Sequence, residues 1–287
     1  MKTELNKVSF CFLLILYLFS FQSLSLAQNQ KLTFSQVYEI KEPRLLIRLP
    51  IMKGWLDDEN YLQLKQENDK QFLAKVNAVT GDMSAYVDYS AINENLPEGF
   101  STLAAVDETK DFTGFLLQKN NDLYYYSTKS GIFKRITESD AVENNPTFSP
   151  DGRKVAFTRN HNLYVVDVES GEETQLTFDG SDVIYNGWSS WVYWEEIIGR
   201  ETDNKAYWWS PNSEMIAFLW FDDSPVPKFP LYYSDGVYGN LVWEHFPKAG
   251  DSSPYVKLGI AHLNENKITW VDEDPNADQY TAWPVWA

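Results

Sequence analysis

The sequence predicts an all-β chain folded as a β-propeller of about five blade-like units, the last unfinished, with one short helical insertion. The first observation behind this is a recurring unit. Its opening half is an aromatic residue, a turn and a β-run: Trp55-Leu-Asp-Asp-Glu-Asn-Tyr-Leu-Gln-Leu64, Phe148-Ser-Pro-Asp-Gly-Arg-Lys-Val-Ala-Phe157 and Trp209-Ser-Pro-Asn-Ser-Glu-Met-Ile-Ala-Phe218. Its closing half is an alternating strand that ends in a turn: Phe72 to Gly81, Leu123 to Gly131, Leu163 to Gly171 and, more loosely, Leu258 to Asn266. Each half reads as a hairpin, because period-two alternation flanks Asp-Gly, Ser-Gly or Asn-containing turns. The second observation is spacing. Gly81, Gly131 and Gly171 stand 50 and 40 residues apart, the period of a four-stranded propeller blade. The third is a break in that spacing. Phe148 and Trp209 are 61 residues apart, so roughly 15–20 residues must leave the blade between them, on a face that is often the binding face.

In chain order, residues 1–27 read as a secretory signal peptide. Lys2 and Lys7 give a basic start, Val8 to Phe21 is an almost unbroken apolar run, and Ser25-Leu-Ala27 is a small-x-small cleavage site before Gln28. The apolar run is short for a membrane span, and an uncleaved signal anchor is the alternative. Residues 28–287 form the partial propeller. Its entry segment, 28–43, has little pattern, and the blade units follow from Leu45. The displaced stretch holds Trp188-Ser-Ser-Trp-Val-Tyr-Trp-Glu195-Glu196-Ile-Ile-Gly-Arg200. Ser190 to Ile198 contains no Gly or Pro, which predicts one short helix there. Phe221 to Pro230 carries three prolines and is not expected as a central strand. Leu231 to Pro247 reads as an aromatic extended arm, either an ordinary long loop or a contact to another subunit or domain. Trp283-Pro-Val-Trp-Ala287 resembles the opening of a further blade, so the chain reads as the front part of something longer.

Composition narrows the function. With 44% hydrophobic and 16% aromatic residues the chain can bury a large core. A net charge of −17 excludes nucleic acid and anionic membrane surfaces as partners, and suits cationic ligands. The one cysteine, Cys11, lies in the signal, which leaves no thiol or disulfide chemistry in the mature chain. No Asn-x-Ser/Thr acceptor is free, since Asn145-Pro-Thr is blocked by its proline. Both absences point to a bacterial periplasmic or cell-surface protein. No Gly-x-Ser-x-Gly elbow, P-loop or dinucleotide glycine motif occurs. His161, His245 and His262 lack metal-ligand spacing and read as structural or surface residues. No metal or cofactor is expected.

The remaining chemistry is Glu195-Glu196. Adjacent residues on a helix lie about 100° apart, so both side chains can lean toward one cleft. Two carboxylates held close repel unless they share a cation, which suits a ligand ammonium, a metal ion or a neighbouring Arg or Lys. Three structural or metal readings stay open at this point: solvated surface glutamates, pairing with Arg200, and a Ca²⁺ site with Asp222 and Asp223, which lacks a loop signature.

Trp191-Val-Tyr-Trp-Glu195-Glu196, Tyr207-Trp-Trp-Ser-Pro-Asn212 and Ile216-Ala-Phe218 resemble the propeller of the dipeptidyl peptidase IV family of prolyl oligopeptidase-type serine peptidases, in its bacterial form. Ile184-Tyr-Asn-Gly187, Phe221-Asp-Asp-Ser-Pro-Val-Pro227, Tyr232-Tyr-Ser-Asp235 and Phe246-Pro-Lys-Ala-Gly250 extend the resemblance. It is specific from Phe148 to Val271 and rests on blade pattern for residues 30–140. The resemblance implies an exported exopeptidase that removes N-terminal dipeptides after Pro or Ala. It also implies an eight-bladed propeller joined to a C-terminal α/β-hydrolase domain. The family's double-Glu motif falls on Glu195 and Glu196, where it binds the free α-ammonium of a peptide N-terminus. The family's dimer-forming arm maps onto residues 225–250, which implies a homodimer. Two departures stand out. The hydrolase domain and its triad are absent from this sequence, so the chain is expected to be inactive alone. The family's second-blade arginine has no counterpart in Phe115 to Tyr124. The rival expectation is a stand-alone exported propeller that binds a partner without catalysis.

Overall fold

The computed structural model describes residues 31–39, 49–68, 70–273 and 279–287; the expected signal peptide lies outside them. The chain falls into two compact units, 1–52 and 53–287. In the first, helix α1 (Phe34–Tyr38) is fixed by a capping box. Thr33 Oγ1 accepts from the Gln36 amide at 3.2 Å, and Gln36 Oε1 accepts from the Thr33 amide at 3.1 Å. Among the described residues no helix is long and apolar enough to cross a membrane.

Four antiparallel sheets follow. The first comprises β1 (Ile51–Trp55), β2 (Asn60–Glu67), β3 (Lys70–Asn77) and β4 (Met83–Asp88), and helix α2 (Tyr89–Asn93) comes after it. The second comprises β5 (Ala105–Glu108), β6 (Gly114–Lys119), β7 (Asp122–Ser127) and β8 (Phe133–Arg135). The third comprises β9 (Asn144–Phe148), β10 (Lys154–Arg159), β11 (Asn162–Asp167) and β12 (Glu173–Gln175). In the fourth, two short strands, β13 (Ile184–Asn186) and β14 (Tyr207–Trp209), both pair with β15 (Met215–Asp222). A ribbon of β16 (Lys228–Tyr233) and β17 (Asn240–His245) stands apart, and β18 (Tyr255–His262) and β19 (Lys267–Trp270) complete the fourth sheet.

The turns explain why the opening halves repeat. In Phe148-Ser-Pro-Asp the Ser149 hydroxyl donates to Asp151 at 2.6 Å and accepts the Lys154 amide at 2.9 Å. In Trp209-Ser-Pro-Asn the Ser210 hydroxyl donates to Asn212 at 2.7 Å and accepts the Met215 amide at 2.9 Å. Thr109 does the same with Asp111 and Gly114, at 2.8 and 2.9 Å. This third copy has neither the aromatic nor the proline that mark the others in the sequence.

Alternation along each strand sends side chains to opposite faces, and here both faces are buried. Val155 and Phe157 of β10 pack with Leu116 and Leu123 of the second sheet. Ala156, between them, packs with Ile216 and Phe218 of the fourth. Phe115 and Leu117 of β6 turn to Leu62 and Leu73 of the first sheet. Each such fully buried Val, Leu, Ile or Phe side chain contributes about 1.5–3 kcal/mol, and no sheet could bury both faces alone. This is blade-on-blade stacking, the propeller arrangement. The first strands of successive sheets also meet. The Phe148 amide of β9 donates to Asp107 of β5 at 2.7 Å, and Thr147 of β9 lies 3.0 Å from the Tyr207 hydroxyl of β14.

Two expectations change in detail. Phe221 and Asp222 belong to β15, so the central strand runs further than the prolines suggested and stops at Asp222. Pro230 sits in the two-stranded ribbon opposite Trp243, where a missing amide is tolerated at an edge. Residues 279–287, where a fifth unit was expected to open, carry no strand. Instead the indole of Trp283 donates to Ile197 O at 3.2 Å, and that of Trp286 to Trp208 O at 3.4 Å.

Candidate functional site

Between β13 and β14 the chain leaves the fourth sheet and returns at the same point. The Gly187 amide donates to Leu219 O, the Leu219 amide to Ala206 O, and the Ala206 amide to Gly187 O, each at 2.9 Å. Residues 188–205 therefore project from what is otherwise one continuous edge along β15. Trp188 and Lys205 are bridged, and the Ser189 amide donates to Asn204 O at 2.8 Å, which stiffens the stem. Gly187 has φ +69°, and a Cβ there would lie 3.3 Å from Leu163 Cδ1 and 3.4 Å from Tyr207 Cδ1. Gly187→Ala is expected to lower stability by about 1–2 kcal/mol, since an L-residue is strained in the left-handed region. A urea midpoint equal to that of the parent protein would contradict this.

The predicted helix is one widened turn. The Trp194 amide donates to Ser190 O at 2.9 Å, but the Ile198 amide reaches back five residues to Tyr193 O at 2.8 Å. Such π-type turns are frequent at functional sites. The turn is anchored by Tyr193 and Ile198, which are fully buried with Leu219 and Phe221. The Tyr193 and Phe221 rings meet edge to face at 4.9 Å.

Anchoring that face leaves the two glutamates differently placed. Glu195 is largely shielded. Its Oε2 accepts from the Trp191 indole at 2.8 Å, and its Oε1 is paired with the Arg200 guanidinium, which is itself 65% exposed. Glu196 is exposed, and among the described residues no hydrogen bond or ion pair reaches its carboxylate. The pairing with Arg200 left open by the sequence is thus made by Glu195 alone. Aromatic rings frame the turn. Trp191 packs edge-on to Trp194 at 5.5 Å and to Phe246, just past the ribbon, at 5.9 Å. The Trp191 contact was available in the sequence as an (i, i+4) spacing to Glu195.

The other residues singled out by sequence take separate places. His161 donates from Nδ1 to Ser181 O at 2.6 Å, and His245 from Nδ1 to Val226 O at 2.8 Å. His262 Nε2 is 3.2 Å from Thr269 Oγ1. Among the described residues no three metal-binding side chains converge. Asp222 accepts the Ser224 amide at 2.8 Å. Asp223, offered by the sequence with Asp222 as a Ca²⁺ candidate, is buried just past the end of β15. Burial pushes its carboxyl up to about 6, against hydrogen bonding from Ser190. On the ribbon, Tyr232, Val237, Tyr238, Leu241 and Trp243 are exposed.

Residues 113–287 match the family described as the dipeptidyl peptidase IV N-terminal region. Dipeptidyl peptidase 4 of Sus scrofa is 32% identical over 72% of this chain and 27% of its own length. Probable dipeptidyl-aminopeptidase B of Talaromyces stipitatus is 38% identical over 82% of this chain and 27% of its own length. Among solved structures, dipeptidyl peptidase 4 of Porphyromonas gingivalis superposes with a TM-score of 0.61 at 25% identity, over 80% of this chain and 33% of that one. The chain thus spans about a quarter to a third of the length of these relatives. The matched region holds the second-sheet core, the projecting turn and the ribbon, and the chain belongs to the dipeptidyl peptidase IV N-terminal region family.

Proposed function

We propose that this chain is the propeller portion of an exported serine-type dipeptidyl peptidase, and that its projecting turn recognises the free α-ammonium of a peptide N-terminus through Glu195 and Glu196. The observation that carries the reading is the turn itself. It springs from the line of first strands, is locked at a three-bond neck, and presents one unpaired carboxylate beside one that is already oriented by an indole. A carboxylate in such a place forms charge-assisted hydrogen bonds with an ammonium. A blocked amine would leave it unpaired, which gives selectivity for free N-termini. Glu195, neutralised by Arg200, orients the turn, and Glu196 carries the free charge. Hydrolysis belongs to an α/β-hydrolase domain outside this sequence, so this portion binds, orients and gates access. The exposed aromatic ribbon, within residues 225–250, is proposed to meet a second copy of the chain. The compartment is proposed to be periplasmic or the cell surface.

The test is calorimetric binding of a Gly-Pro-initiated peptide to the purified chain, beside the same peptide N-acetylated. The free-amine peptide is expected to bind at least about tenfold more tightly, since a charged hydrogen bond contributes about 1.5–3 kcal/mol. Equal affinities would remove the ammonium reading. Release of a chromophore from a Gly-Pro substrate by this chain alone would remove the assignment of hydrolysis to another domain.

A further inference from the structure

Three buried polar atoms lie one each on the projecting turn, at the end of β17 and just past β15, and Val226 links the last two, its carbonyl accepting from His245 Nδ1 and its amide donating to Asp223 O. Asp223 Oδ1, Ser190 Oγ and His245 Nε2 are all shielded from solvent, and none makes a hydrogen bond of normal geometry. Asp223 is 1% exposed and Ser190 0%. Each comes from a different element. Ser190 heads the projecting turn, and its carbonyl takes the Trp194 amide. His245 is the last residue of β17, with Nδ1 committed to Val226 O. Asp223 follows β15 and is held by its own backbone, its amide on Val183 O at 2.8 Å and its carbonyl taking the Val226 amide at 2.9 Å. The Ser190 hydroxyl faces the Asp223 carboxylate, and the Tyr185 hydroxyl of β13 lies near it while donating to Asp182 O at 3.0 Å. Clusters of buried polar atoms without closed hydrogen bonds are rare in native folds and call for an explanation.

We propose that Asp223 is the positioning residue of the Glu195–Glu196 turn: seated between Ser190 at the head of that turn and His245 at the foot of the ribbon, it holds the two in one geometry and releases them when it ionises. What the turn is for rests on the ammonium reading above; that Asp223 positions it does not.

The charged and titratable groups around it set the sign. His245 favours the ionised carboxylate, and the Ser190 and Tyr185 hydroxyls favour it too. Asp222 opposes it. Asp182 and Glu244 add negative charge around Tyr185. Burial outweighs the favourable contacts and raises Asp223 from 3.8 to about 6. A raised carboxyl favours the fold in its protonated form. That contribution is fully present below pH 3.8 and is lost as pH rises through about 6. The turn is therefore tightest below about pH 3.8 and loosens as pH rises through about 6.

Hydrogen exchange of residues 191–198 in the full chain tests this, with rates corrected for intrinsic pH dependence. At pH 3.5 the parent protein and Asp223→Asn are expected to exchange alike. At pH 8 the parent is expected to exchange on the order of tenfold or more faster than Asp223→Asn in this stretch, with residues 154–167 unchanged as the folding control. Asp223→Ala should exchange fast at both pH values. Equal protection in the parent and Asp223→Asn at both pH values would overturn the proposal. So would a pH step that persists in Asp223→Asn and vanishes in His245→Gln. If this exchange pattern holds while free and acetylated peptides bind equally, the ammonium reading fails and the positioning role stands.

Discussion

In a longer chain that joins this propeller to a hydrolase domain, Glu195→Gln with Glu196→Gln is expected to lower kcat/KM on a free-amine Gly-Pro substrate by about 10²–10⁴. The size follows from losing the charge-assisted contact at Glu196 together with the Glu195–Arg200 pairing that orients the turn, at about 1.5–3 kcal/mol each, with a tenfold change for every 1.4 kcal/mol or so. The two single replacements should differ. Glu196 is exposed and, among the described residues, unpaired, so Glu196→Gln removes the charge proposed to meet the ammonium. Glu195 is already bound to Arg200 and Trp191, so Glu195→Gln keeps an acceptor for the indole and chiefly frees a guanidinium. The singles touch one network and should not sum to the double. Steady-state kinetics on free and N-acetylated substrates decides it. Loss confined to the free amine is the expected result, and an unchanged kcat/KM in the double variant would dispose of the clamp. A peptide α-amine titrates near pH 7.7–8.0, so the advantage of the free amine should shrink above about pH 8.

The blades were legible because their turns are written in side-chain chemistry. Ser149-Pro-Asp and Ser210-Pro-Asn each close a turn with a hydroxyl that donates one way and accepts the other. Thr109 closes its turn by the same hydrogen bonds without the aromatic or the proline, and a pattern based on those two residues passes over it. The projecting segment was legible from spacing alone, as an excess of residues between Phe148 and Trp209. Its widened turn was not, since a five-residue hydrogen bond leaves no mark that a four-residue one would lack. The asymmetry of the two glutamates depends on which face of the turn Tyr193 and Ile198 bury, and that is settled by Leu219 and Phe221 of another element. The burial of Asp223 was hidden for a related reason. The sequence offers Asp222 and Asp223 together as a Ca²⁺ candidate, and only the folded chain encloses Asp223 past the end of β15.

The largest effect on folding is expected at Tyr207. Its ring is fully buried in the core shared by the third and fourth sheets. Its hydroxyl lies 2.8 Å from Ala156 O of β10 and 3.0 Å from Thr147 Oγ1 of β9, and also contacts Asn145 O. One O–H can serve one carbonyl at a time, so the hydroxyl donates to the backbone of the third sheet and accepts from Thr147. Tyr207 thereby fastens the strand that carries the return leg of the projecting segment to the blade before it. Tyr207→Phe keeps the ring and leaves buried polar groups without their partner, at about 1–3 kcal/mol. Tyr207→Ala also opens a cavity, and aromatic-to-alanine changes in cores cost about 3–5 kcal/mol. Urea denaturation should show a lower midpoint at an unchanged slope for the phenylalanine variant, because the surface exposed on unfolding is the same. The alanine variant should fall much further. A phenylalanine variant as stable as the parent would mean that the hydroxyl is dispensable and that apolar packing alone joins the blades. In that case the neck at Gly187 and Ala206, held by backbone bonds to Leu219, would have to fix the projecting turn without help from β9.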